Sequence, residues 1–327
     1  MKTLPIASIL QSFQNKRIAI IGDIMLDTYI FGHISRISPE YPVPVVDVTH
    51  EDHRLGGAAN VALNTASLGA ETILIGLTGT DRNQETLLQL LNAQGLDHSC
   101  IIADPTRPTT TKTRILSQNH HITRVDRESR HDIDHELEQQ IKLTLEQQIP
   151  LCDAIILEDY NKGLLTVSLI QHTISVAREH NVPVLVDPKQ KNFFAYNGCS
   201  IFKPNLSEIA SSLGIAIQNN DNEVEKACLS LREKMSADCI MVTRSEKGMT
   251  CYDGTFTHIA ACSFDVADVS GAGDTVIGVL GLGVASGLDM VTNARVANLA
   301  AATVCQEVGA VPVKADKLLK LYREHHQ

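Results

Sequence analysis

A chain of 327 residues, 43% hydrophobic and 20% charged, has the make-up of an ordinary globular protein, long enough for one large α/β domain or two average ones. Acidic side chains outnumber basic ones 38 to 28, and a net charge of −10 excludes a protein whose main partner is a nucleic-acid backbone, because such binding draws on Lys and Arg. Residues 1–13 carry no basic run ahead of an apolar one, and no apolar stretch approaches the roughly 20 residues that span a bilayer. A cytoplasmic protein with no membrane partner is expected. The eight cysteines form no Cys-x-x-Cys pair and sit mostly in or beside apolar stretches, which reads as reduced, buried thiols.

Along the chain, the apolar run 17–21 ends in Gly22-Asp23 and reads as a strand buried on both faces of a sheet. Residues 29–54 follow, with Pro39, Pro42 and Pro44 among β-formers such as Val43, Val45, Val46 and Val48. A helix is predicted over 58–68, a strand over 72–76 and a helix over 84–94. The segment 109–126 then offers two β-rich runs, 111–116 and 122–126, joined by the polar tip Gln118-Asn119-His120-His121. A helix over 137–147, a strand over 154–157, a helix over 167–180, a strand over 183–186, a helix over 224–235 and a strand over 240–243 come next. Residues 271–305 read as two well-buried helices rich in Ala, Gly and Val. Strands alternating with helices predict a parallel sheet covered on both sides. The segments 29–54 and 109–126 interrupt that rhythm, each after a core strand and on the side where α/β proteins bind ligands. They predict one small β lid; two unrelated surface hairpins are the alternative.

The strongest local pattern is Asp268-Val269-Ser270-Gly271-Ala272-Gly273-Asp274, directly before an apolar helix. Small residues at 271–273 let backbone N–H groups converge where the helix begins, a site that attracts phosphate. An acid inside such a turn would repel phosphate, unless it accepts a proton from a hydroxyl attacking the phosphoryl group. The run also describes an ordinary Gly-rich turn with Asp as helix cap. A second Gly pair opens a helix at Gly56-Gly57-Ala58-Ala59-Asn60, and Asn60 can donate to or accept from a hydroxyl. Asp23 and Asp27 would suit a polyol, although either could simply cap a loop. Lys112 and Arg114, two apart on one predicted strand, share a face that could meet a sugar phosphate, with Lys162 following the strand that ends in Glu158-Asp159. Surface solvation explains these three equally. His131 and His135 are i, i+4 but open a polar helix and read as solvated. There is no Walker A sequence, and no Gly-x-Gly-x-x-Gly follows a strand.

Gly56-Gly57-Ala58-Ala59-Asn60 and Asp268–Asp274, in this order and at this separation, resemble the paired signatures of the ribokinase-like (PfkB) carbohydrate kinases, over essentially the whole chain. The resemblance implies a three-layer α/β sandwich, with a central mostly parallel sheet and a small β-sheet lid that often forms a homodimer interface. It places the base on Asp274, the anion hole on Gly271, Ala272 and Gly273, and sugar contacts on Asp27, Gly56, Gly57 and Asn60. The Asn-x-x-Glu motif falls on Asn205 and Glu208, where Glu208 helps order Mg²⁺ through water. Thr243, Gly248 and Asn298 would lie along the phosphates, ribose and adenine of ATP. Ser270 stands where Thr is usual and keeps the hydroxyl. A monovalent-cation site near Asp268 and Gly309, found in some members, stays open. Within the family, residues 22–27, 35–46, 54–62, 111–114 and 242–246 are similar to the branch that phosphorylates the anomeric hydroxyl of D-glycero-D-manno-heptose 7-phosphate, toward ADP-heptose for lipopolysaccharide core. Ending at Gln327, the chain resembles a stand-alone kinase, or the kinase part of one fused to an adenylyltransferase. Two other readings stay open: a family kinase for ribose, fructose or a nucleoside, and a sugar-binding regulator without turnover.

Overall fold

The computed structural model describes residues 5–118, 120–262 and 266–325, so Asn119 of the polar tip lies outside the described residues. In chain order the elements are α1 (Ile6–Ser12), β1 (Arg17–Gly22), β2 (Ile24–Ile37), β3 (Pro44–Gly57), α2 (Ala58–Ser67), β4 (Glu71–Thr78), α3 (Arg82–Ala93), β5 (Ile101–Ala103), β6 (Thr111–Ser117), β7 (His120–Arg127), α4 (His135–Gln148), β8 (Ala154–Glu158), α5 (Val167–Glu179), β9 (Val184–Asp187), β10 (Ile201–Phe202), α6 (Leu206–Leu213), α7 (Asp221–Lys234), β11 (Cys239–Thr243), β12 (Met249–Tyr252), β13 (Phe256–Ile259), α8 (Ala272–Ala285), α9 (Met290–Val304) and α10 (Ala315–His325). Among the described residues, nine strands form one sheet in the order β13-β12-β11-β10-β9-β8-β1-β4-β5, parallel except for the β11-β12-β13 edge.

The period-two alternation of β1 builds the three layers. Ile18 and Ile20 point into an apolar core shared with α2, α8 and α9, while Ala19 and Ile21 point into the opposite core with α4, α5 and α7. A strand buried on both faces must be apolar at every position, which is why these runs were legible in the sequence.

The two interruptions form one sheet, β3-β2-β6-β7. Each is an antiparallel hairpin, and β2 pairs parallel with β6 to join them, which rules out two unrelated hairpins. The first lid segment is longer than 29–54. Ile24 already pairs with Gly57, so Asp27 and Gly56 are lid-strand residues rather than turns at the end of core elements. β5, β10 and the β12/β13 hairpin were not anticipated; β5 and β10 are three and two residues long, too short to show a period. His131 precedes α4, so it and His135 do not share a helix face. All eight cysteines are unbridged and most are buried. Among the described residues, no helix is long and apolar enough to cross a membrane.

Candidate active site

Charged residues close several apolar strands at one edge of the sheet: Glu158 on β8, Asp187 on β9 and Lys203 just after β10. All three are buried. Lys203 Nζ lies 2.8 Å from Asp187 Oδ2, and both carboxylate oxygens of Glu158 are buried without a hydrogen-bond partner among the described residues. Burial pushes the Glu158 carboxyl well above the usual range, and Asp187 and Asp274 add to the rise. Ionisable groups gathered this way at the carboxyl ends of parallel strands mark the ligand edge of an α/β sheet.

The loop before α8 opens onto this edge. Gly271 caps the helix with φ +79°, a left-handed conformation that a side chain would strain, and an added Cβ would also meet Asn60 Nδ2 at 2.8 Å. Asp268 shapes the loop: its Oδ1 accepts from the amide and hydroxyl of Ser270, and its Oδ2 from the Gly309 amide. Burial would raise the Asp268 carboxyl, but those donors hold it below the usual range. The hydroxyl retained at Ser270 therefore has a structural use. Gly273 is exposed and faces Asp187 and Lys203, so the backbone opens toward the charged edge at that residue, while the Ala272 amide donates to the Val269 carbonyl at 3.3 Å.

Asp274 sits in the first turn of α8, 6% exposed. Its Oδ2 accepts from Asn60 Nδ2 at 2.8 Å and its Oδ1 from the Tyr160 hydroxyl at 2.9 Å. Burial raises its pKa; the Asn60 and Tyr160 bonds oppose the rise, and Asp187 and Asp27 reinforce it. Asn60 is oriented by α2, which starts after Gly57 at φ +56°. A Cβ on Gly57 would strike the Asp23 carbonyl at 2.4 Å, so only glycine lets the turn from β3 into α2 come this close to the β1–β2 junction. The two Gly-containing motifs, 214 residues apart at Asn60 and Asp274, meet in one hydrogen bond.

On the lid side, Gly56 faces the Asp27 carboxylate, and Arg114 Nη1 lies 2.9 Å from Asp27 Oδ1. Among the described residues neither of these two atoms makes an aligned hydrogen bond, which leaves both with capacity for a sugar hydroxyl. Lys112, on the same strand, places its ammonium 4.6 Å from the Tyr160 ring centroid and makes no ion pair among the described residues. Burial lowers its pKa, only partly offset by Asp27. Lys162 is different: its ammonium pairs with Glu128 Oε2 at 2.6 Å. Asp23 is the loop-capping alternative, since its Oδ2 accepts from the amides of Tyr160 and Lys162.

Asp23 also sets a pH dependence. Burial, reinforced by Asp159, raises its carboxyl to about 6 against the two amide bonds. The native carboxyl thus keeps its proton up to about pH 6, while the unfolded one loses it near 3.8. Between those values the native state binds more protons, so this group's contribution to stability falls as pH rises. Asp23→Asn keeps an oxygen for both amides and removes the titration. Unfolding by urea at pH 4 and pH 7 should show the variant gaining about 2–3 kcal/mol relative to wild type at the higher pH. An unchanged difference between the two pH values would contradict this account.

On the opposite side of the charged edge, Asn205 and Glu208 form a reciprocal cap of α6, Asn205 Oδ1 accepting from the Glu208 amide and Glu208 Oε2 from the Asn205 amide. Lys189 donates to Glu208 Oε1 at 2.6 Å. Thr243, at the end of β11, bridges to Asn205; Gly248 turns the chain into β12; Asn298 on α9 donates to the Ala260 carbonyl beyond β13. Among the described residues no three His, Cys, Asp or Glu groups converge as direct metal ligands. With Glu158 unpartnered and Glu208 capped, the donor set fits a divalent cation held chiefly by phosphate oxygens and water, not a protein cage.

The family model for "pfkB family carbohydrate kinase" matches residues 15–317. The chain belongs to the pfkB family of carbohydrate kinases. As a member, this kinase uses ATP as phosphoryl donor. It is 38% identical over 324 residues, 98% of the chain, to the "Bifunctional protein HldE" of Trichlorobacter lovleyi. The chain spans 61 to 66% of the length of the first curated relatives it matches. Its fold is that of Escherichia coli phosphofructokinase-2 in complex with potassium (TM-score 0.77, 17% identity, 96% of this chain and all of that one). It is equally that of Arabidopsis thaliana ribokinase with ribose and ATP (TM-score 0.75, 16% identity, 94% and 99% of the two chains).

Tyr160, Asp187, Lys189 and Lys203 were missed by motif reasoning. The signal was a charged residue closing an apolar strand, as in Val184-Leu185-Val186-Asp187 and Ile201-Phe202-Lys203.

Proposed function

We propose that this kinase transfers the γ-phosphoryl group of ATP to the anomeric hydroxyl of D-glycero-D-manno-heptose 7-phosphate, giving the 1,7-bisphosphate. One observation carries the reading: a buried carboxylate held by two donors at a helix start, Asp274, and a lid ammonium with no carboxylate partner among the described residues, Lys112, meet at the Tyr160 side chain. The first group suits a base for a sugar hydroxyl, and the second suits a substrate that already carries an anion. The likeness to HldE and the segments similar to the heptose-phosphate branch support the choice of sugar.

In this reading Asp27, Gly56, Gly57 and Asn60 hold the sugar, and Arg114 shares its hydroxyls with Asp27. Asp274 takes the hydroxyl proton as the oxygen attacks in line, and the amides of Gly271, Ala272 and Gly273 receive the developing charge. Asn205, Glu208, Thr243, Gly248 and Asn298 line the nucleotide. Mg²⁺, reached by Glu208 through water, would neutralise phosphate charge. A monovalent cation near Asp268 and Gly309 belongs to the proposal, as does a cytoplasmic location toward ADP-heptose synthesis. Residues 1–327 are read as one kinase unit with its lid. A homodimer through the lid is supported by exposed Ile37, Tyr41, Val43 and Val48 on its strands and turn.

The test is an ADP-release assay across heptose 7-phosphate, free heptose, ribose, fructose and fructose 6-phosphate. Heptose 7-phosphate should be used at least about tenfold more efficiently than the free sugar, the worth of one charge-assisted contact. A preference for ribose or a fructose would move the assignment to another sugar, and silence with all five would favour a binding protein.

A further inference from the structure

Asn60 and Asp274 both lie in motifs, but the second donor on the base does not. Tyr160 comes from the loop after β8, and that loop is held from behind by two buried carboxylates. Asp23 Oδ2 accepts from the Tyr160 amide at 2.8 Å, and Asp159 Oδ1 accepts from the Asn161 amide at 2.7 Å. Tyr196 donates to Asp159 Oδ2 at 2.7 Å, fixing that carboxylate in turn. The ring so positioned meets two ammonium groups from separate segments: Lys112 of the lid at 4.6 Å and Lys189, beyond β9, at 5.1 Å from its centroid. Its hydroxyl reaches Asp274 Oδ1 at 2.9 Å. Tyr160 is thus where the lid, the strand ends and the base touch.

We propose that Tyr160 is a positioning residue that, together with Asn60, fixes the orientation of Asp274 and keeps it ionised for proton abstraction. A carboxylate with one donor on each oxygen cannot rotate without breaking a bond, and it still has lone pairs free for a sugar hydroxyl. Both donors favour the charged base over the protonated one, against the burial of Asp274. The groups that act on Asp274 from the surrounding elements are Asn60 on α2, Asp27 on β2, Lys112 on β6, Glu158 on β8 and Asp187 on β9, besides Tyr160 itself. Two of these, Asp187 and Asp27, are acids that oppose its ionisation, so losing one donor leaves them uncompensated. Desolvation, then Asp274 itself, Glu158 and Asp187, raise the Tyr160 hydroxyl far above its ordinary pKa, so it remains a donor throughout the working range.

The proposal rests on Asp274 being the base in the kinase reading. The experiment is Tyr160→Phe, which keeps the ring under Lys112 and Lys189 and removes only the hydroxyl. The single-turnover rate is followed against pH with whichever sugar the wild-type protein phosphorylates. The expected result is a fall of about tenfold at the optimum, with the acidic limb displaced upward by about one pH unit. A rate that falls with the limb in place, or a profile identical to wild type, overturns the role of Tyr160 while leaving the kinase reading intact. A wild-type protein without turnover overturns both. Should the variant not fold, wild-type protein made with 3-fluorotyrosine, a stronger donor, should move the limb to lower pH; an unmoved limb then overturns the proposal.

Discussion

Replacing Asp274 with Asn should lower kcat by about 10²–10⁴, equivalent to roughly 3–5 kcal/mol of transition-state stabilisation, while the protein stays folded and binds ATP. The fold survives because Asn can satisfy both neighbours: its oxygen accepts from Asn60, and its amide donates to the Tyr160 oxygen, which reverses role. Stability should not fall either. Burial raises the Asp274 carboxyl, so its ionised form opposes the native state above the native pKa, and a neutral amide removes that cost. Turnover within a factor of a few of wild type, at unchanged melting temperature, would mean that another group takes the proton.

The second large effect concerns Lys112. Lys112→Met keeps an unbranched side chain over the Tyr160 ring but deletes the charge, and it should lower kcat/KM for the phosphorylated sugar by about tenfold to a hundredfold. The reason is electrostatic. Arg114 is already beside Asp27 and Lys162 beside Glu128, so of the three lid-side cations Lys112 alone has no counter-ion among the described residues. A substrate dianion would supply one and reverse the downward push that burial exerts on its pKa. The KM for ATP should stay within about twofold, since the capped Asn205–Glu208 helix start is a separate part of the site. Equal losses for phosphorylated and unphosphorylated sugars would place the substrate's anion elsewhere.

Much of this was written in local pattern. The core strands were legible because two-sided burial requires apolar residues at every position, as at 18–21 and 154–157. The Gly56-Gly57 and Gly271–Asp274 turns were legible because close approach and positive φ admit little but glycine. Those two motifs led to Asp274 and Asn60 without any structure.

What the sequence left undecided was pairing. Nothing local states that Asp27 meets Arg114, that Lys162 is neutralised by Glu128, or that Asp23 caps a loop 137 residues away. Nor does periodicity announce Tyr160, a lone aromatic in a polar loop whose role exists only because β8, the lid and the start of α8 converge on it. The sequence by itself determined the layered α/β architecture and singled out Asp274, the base in the reading proposed above, since both rest on burial and backbone constraints that act within a few residues. Which charges were free to meet a substrate, and which were already spent on one another, was decided by the tertiary structure, because an ion pair depends on distance in space and not on separation along the chain.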